Sequence, residues 1–102
     1  VPDPAHAERP LATATVQVDD DRVVVTEWRF PPGGHTGWHR HRWPYVVVPM
    51  TGGTLLLDTP DGPREAVLVA GVAYSREAGV EHDVVNANED EFVFVEVEFK
   101  QG

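Results

Sequence analysis

Turn-forming residues interrupt this chain so often that a long helix has no room to form. Gly, Pro, Asn and Asp separate short apolar bursts. Within the bursts hydrophobic and polar residues alternate, which is the period of a half-buried strand rather than of a helix. Residues 12–19 and 22–30 are β-rich runs joined through Asp19, Asp20 and Asp21, whose short acidic side chains favour turns. In the second run Val23, Val25, Glu27 and Arg29 share one face, and Val24, Thr26, Trp28 and Phe30 share the other, expected to be the buried one. Further runs cover 45–48, 54–59, 64–69, 71–77, 81–87 and 92–99, with Pro60-Asp61-Gly62-Pro63 turning the chain back on itself. In the last run Phe92, Phe94, Glu96 and Glu98 oppose Val93, Val95, Val97 and Phe99. About eight or nine short strands without an amphipathic helix predict an all-β, antiparallel sandwich or barrel.

A chain of 102 residues makes one core and one domain. Pro2, Pro4 and Pro10 mark residues 1–10 as an extended arm, with His6 a surface residue there, and leave 11–102 as a single domain. The net charge of −9 repels phosphodiester backbones and anionic lipid, which argues against nucleic acid or membrane partners and leaves a small molecule as the expected ligand. No apolar run reaches the roughly 18 to 20 residues of a membrane span, and no secretory pattern is visible, so a cytoplasmic location is expected. The absence of cysteine removes disulfides, thiolate catalysis and sulfur-bound metal. Any metal must then rest on His, carboxylate, phenolate or water.

That restriction gives weight to the stretch at 33–52, G-G-H-T-G-W-H-R-H-R-W-P-Y-V-V-V-P-M-T-G. His39 and His41 are two apart, so on a strand both imidazoles leave the same face and can meet at one point. Trp38, Arg40 and Arg42 fall on the other face, with the two arginines solvated. His82 is the best third nitrogen donor, and Glu81 and Asp83, which alternate with it, are expected to face outward. His35 shares the parity of His39 and is a candidate for touching substrate or supporting the site, weighed against a plain surface histidine. Tyr45 shares it too, and is open to three readings: phenolate ligand, hydrogen-bonding group or acid, and core aromatic. Arg76 is a candidate for meeting an anionic substrate. Trp28, Trp38, Trp43, Phe92 and Phe94 are expected in the core or the pocket wall, and Asn86 is expected to tie loop backbone.

These residues, taken with their spacing, resemble the cupins. The first cupin motif, G-x5-H-x-H-x3-E-x6-G, is matched by Gly33, His39, His41 and Gly52, with Tyr45 standing where Glu is expected. The second, G-x5-P-x-G-x2-H-x3-N, is matched by Gly71, Gly79, His82 and Asn86, with Glu77 in place of Pro. The resemblance implies a jelly-roll (double-stranded β-helix) barrel over 11–102 with a divalent metal held inside by His39, His41 and His82, without the usual glutamate. Fe2+ is the favoured ion, and Ni2+, Zn2+, Mn2+ or Cu2+ also suit nitrogen ligands. The implied activity is an Fe(II) oxygenase acting on a small chelating or carboxylate-bearing metabolite, with Tyr45 and His35 as catalytic candidates. An isomerase, dehydratase or lyase moving protons through His or Tyr45, and a non-catalytic metabolite- or metal-binding module, are the alternatives. Small cupins also imply a homodimer. The runs Y-V-V-V-P-M-T-G-G-T-L and G-V-E-H-D-V-V-N resemble small bacterial cupins, some labelled for beta-alanine degradation.

Overall fold

The computed structural model describes residues 9–100, so most of the arm expected at 1–10, including His6, lies outside the described residues. Nine strands form without any helix among the described residues: β1 (Thr13–Asp19), β2 (Val23–Phe30), β3 (His39–Arg40), β4 (Tyr45–Pro49), β5 (Gly53–Thr59), β6 (Gly62–Leu68), β7 (Tyr74–Arg76), β8 (Glu81–Asn86) and β9 (Phe92–Phe99). They build a five-stranded sheet in the order β1-β2-β9-β4-β7 and a four-stranded sheet in the order β3-β8-β5-β6. Every strand pairing is antiparallel. The all-β jelly roll expected from the motifs is therefore the fold, and no helix among the described residues is long and apolar enough to cross a membrane.

The turns form where their chemistry requires. Asp20 accepts from the backbone N–H groups of Arg22 and Val23 through one carboxylate oxygen, at 2.8 and 2.9 Å, which closes the β1–β2 hairpin. Gly53 lies at φ +148°, and a Cβ there would stand 2.6 Å from Oδ1 of Asn88, so any side chain would be strained and would displace Asn88. Asn88 in turn donates to the Thr54 carbonyl and accepts from the Thr54 N–H.

Between the sheets the inward residues of both meet in one core. Phe30, Phe92 and Phe94 come from the larger sheet, and Leu55, Leu68 and Val84 from the smaller. The Phe30 and Phe94 rings lie 5.4 Å apart, and Phe92 meets Phe30 edge-on. Burying each such ring stabilises the fold by about 1.5–3 kcal/mol relative to leaving it in water. Asn86, 1% exposed, donates to the carbonyls of Phe30, Pro31 and Asp90 and accepts from Asn88, so it ties the chain on both sides of the sandwich as expected.

Some placements differ from the alternation reading. Trp38 is 52% exposed and donates from Nε1 to Glu81 instead of joining the core or the pocket wall. The strand expected over 71–77 is only Tyr74–Arg76, because Gly71 and Val72 are used in a turn that closes on the Pro49 and Val69 carbonyls. β1 is exposed along its whole length, as an edge strand can be when only one neighbour pairs with it.

Candidate metal centre

His39 and His82 are paired across β3 and β8, so their side chains leave the two strands side by side on one face. His41 lies just beyond β3. Its N–H donates to the Val80 carbonyl and its carbonyl accepts from Gly79, both at 2.8 Å, which fixes it against the loop before β8. The three rings converge. Nε2 of His41 lies 3.1 Å from Nε2 of His39 and 3.1 Å from Nε2 of His82.

The approach to this cluster is held by the loop between Gly33 and Trp38. Thr36 donates its N–H to the Val84 carbonyl, and Gly37, at φ +88°, turns its N–H onto a carboxylate oxygen of Asp83 at 3.0 Å. The Gly37 carbonyl then accepts from Nδ1 of His39 at 2.9 Å. With its proton committed at Nδ1, His39 presents the Nε2 lone pair to the cluster.

Asp83 faces away from His82, as alternation requires, yet it is buried and not solvent-facing, because this loop folds over it. His35 lies there too, its Nδ1 2.9 Å from Asp83. The structure therefore places His35 on the far side of β8 from His82, outside the lining of the central cavity and joined to His39 through Asp83 and Gly37. A loop's path is not written in its periodicity, which is why parity placed His35 beside His39.

Burial, reinforced by the neighbouring His39 and His82, pushes His41 down to about 3. Burial and His39 push His82 down to about 4, against an opposing pull from Asp83. Both imidazoles are neutral near pH 7, and contacts of 3.1 Å between basic nitrogens are repulsive unless a proton or a cation sits between them. An ion fits. Two nitrogens 3.1 Å apart, each about 2.1 Å from a shared ion, subtend roughly 95° at it, close to adjacent corners of an octahedron. The three ligand nitrogens all lie within 4.8 Å of one another.

Tyr45 occupies the position of the absent glutamate and covers the cluster. Its ring stacks on His41 with centroids 3.8 Å apart and 22° between planes. Burial, with Glu96 nearby, raises the Tyr45 hydroxyl above its ordinary value, so in the metal-free site it is a neutral phenol. Beside the cluster is a cavity of about 150 Å³, whose polar lining includes His39, His82, Tyr45, Arg76 and Glu96 among apolar walls such as Val47 and Phe94. Arg76 thus reaches the cavity, with its guanidinium 4.5 Å above the Tyr74 ring. Arg40 and Arg42 are exposed.

Glu96 is the site residue that sequence reasoning passed over. It sits on the inner face of β9, between Thr26 of β2 and Val47 of β4, and is 7% exposed. Burial, with Glu98 close by, pushes its carboxyl up to about 8. The signal was present: in the alternation of residues 92–99 the two glutamates continue the face of Phe92 and Phe94.

A family model described as a cupin domain matches residues 26–98. The chain belongs to the cupin family. This cupin is 65% identical over 92 residues to the beta-alanine degradation protein BauB of Pseudomonas aeruginosa, an alignment covering 90% of this chain and 97% of that protein. A solved cupin domain protein from Bordetella pertussis is 62% identical with a TM-score of 0.91, over 92% of this chain and 98% of that one. The polyketide cyclase RemF from Streptomyces resistomycificus is 27% identical with a TM-score of 0.71, over 92% of this chain and 70% of that one. In this cupin, as in the motif reading, the three histidines form a group able to hold a metal ion.

Proposed function

We propose that this cupin is an Fe(II)-dependent oxygenase acting on a small chelating or carboxylate-bearing metabolite. The observation that carries the reading is the meeting of three imidazole nitrogens, that of His41 3.1 Å from each of the other two, at the edge of a cavity of about 150 Å³. A space near 150 Å³ accepts a molecule about as large as benzene. When bound, the ion supplies Lewis acidity and, as Fe2+, one-electron chemistry through the positions that three neutral imidazoles leave open.

The chain's own residues prepare that chemistry. The Gly37 carbonyl fixes the tautomer of His39. Arg76 offers a guanidinium to a substrate carboxylate, and Tyr45, kept protonated by burial, offers an O–H donor at the cavity wall. Val47, Leu55 and Phe94 exclude water from the reacting end. The name of the Pseudomonas aeruginosa relative ties that protein to beta-alanine degradation, and we extend the same substrate class here: short amino acids and the acids derived from them.

Oxygen uptake by protein loaded anaerobically with Fe2+ tests this. Substrate-dependent consumption that disappears in His41→Ala supports the oxygenase, and no consumption across a panel of short acids, amino acids and diketones rejects it. A second reading is favoured by Glu96, a buried acid on the cavity wall, and by the likeness to a cyclase. In that reading the site runs an isomerase, dehydratase or lyase reaction without oxygen, and turnover persists under anaerobic conditions.

A further inference from the structure

Two polar groups at the cavity lack partners. Glu96 is buried within the sandwich, and among the described residues no hydrogen bond or ion pair holds its carboxyl. Trp28, which also lines the cavity, has a buried indole Nε1–H with no acceptor. Isolated buried polar groups of this kind cost about 1–3 kcal/mol each. Folding alone gives no reason for a glutamate beside Phe94, since an apolar residue would fill the same inward position of β9 at no such cost.

The surroundings say what would satisfy them. Oxygen atoms of Glu96 and Glu98 and a ring nitrogen of His41 all lie within 4.8 Å of one another, a carboxyl-rich corner in which an arriving cation would favour the ionised form of Glu96. Arg76, exposed at its outer end and donating to the Ser75 carbonyl, lines the same cavity, and among the described residues it is not ion-paired to either glutamate, so a guanidinium and two carboxyl groups share one small space unpaired. That arrangement is complementary to a short zwitterion.

We propose that Glu96, backed by Glu98, receives the ammonium group of a short amino carboxylate whose carboxylate end lies toward Arg76 and the histidine cluster. This rests on the small-acid reading of the site and narrows it to substrates carrying an amine. The shape limits the chain between the two ends to a few carbons, because about 150 Å³ holds little more than an amino acid of that size.

The test is calorimetric binding to protein loaded with Zn2+, which cannot run the redox reaction, using beta-alanine against propanoate and 4-aminobutanoate against butanoate. Wild-type protein is expected to bind the amino member of at least one pair about ten-fold or more tightly, as a charge-assisted hydrogen bond in a buried site supplies. Glu96→Gln, which keeps shape and hydrogen-bonding capacity, is expected to bring that pair to near parity while leaving zinc content and binding of the plain acid unchanged. Equal binding of amino and plain acids by wild type, an amine preference that survives in Glu96→Gln, or loss of zinc from Glu96→Gln overturns the proposal, the last by making Glu96 a metal ligand. Because zinc protein is used, an amine preference without oxygen uptake by the Fe2+ form counts against the oxygenase alone. Oxygen uptake without an amine preference counts against this proposal alone.

Discussion

Tyr45 lies flat on His41, ring centroids 3.8 Å apart, at the position where the first cupin motif carries a glutamate. The stacked ring motivates a packing role, since a buried phenol that keeps its proton in the metal-free site is a poor metal ligand. Tyr45→Phe retains the stacked ring and is expected to bind metal within about two-fold of wild type, whereas Tyr45→Ala frees the His41 ring and weakens binding by about ten-fold. Competitive titration with a chelating dye measures both. A large loss in Tyr45→Phe would make the hydroxyl a ligand after all.

Asp83 governs the site from behind. Its carboxylate holds Gly37 and His35, and Gly37 holds Nδ1 of His39. Asp83→Ala is expected to weaken metal binding by about ten- to a hundred-fold, although no atom of Asp83 faces the cluster. Unchanged affinity in a folded Asp83→Ala protein would show that the loop is held without it.

Acid and base act on metal-free protein through different residues. His41 and His82 sit at about 3 and about 4 in the folded protein, below their ordinary 6.5, so acid protonates the unfolded chain first and stability falls as pH drops from 6.5 toward 3. Glu96 sits at about 8, above its ordinary 4.5, so the stability it contributes is lost as pH rises from 4.5 through 8. The opposing slopes balance near pH 6.5. Thermal melts of stripped protein are expected to peak there, and Glu96→Gln is expected to remove the decline on the alkaline side. A wild-type melting temperature that climbs steadily to pH 9 would contradict this.

Asn86 is expected to matter for folding rather than for chemistry. Asn86→Ala leaves the carbonyls of Phe30, Pro31 and Asp90 short of a donor and frees Asn88. The expected loss is about 3 kcal/mol in urea unfolding, and a loss below about 1 kcal/mol would mean that water replaces the side chain.

Much of this was legible in the sequence, for identifiable reasons. A period of two places Phe30, Phe92 and Phe94 inside, and the acidic turn at Asp20 closes the first hairpin, because both depend on local geometry alone. His39, His41 and His82 are marked by spacing. Parity fails where the chain leaves the strands: it cannot foresee that the loop at 33–38 covers Asp83 and carries His35 away from His39. Nor can it rank Glu96, since a glutamate on an inward face becomes a site residue only once β9 is closed between β2 and β4.

The proposed chemistry requires His39, His41 and His82 to share one divalent ion. Elemental analysis of protein purified without an affinity nickel step, and of His41→Ala prepared alongside it, tests this most directly. Close to one metal ion per chain is expected in the first and almost none in the second. Metal-free wild-type protein that takes up no added Fe2+ or Zn2+, or equal metal in the two proteins, would contradict it.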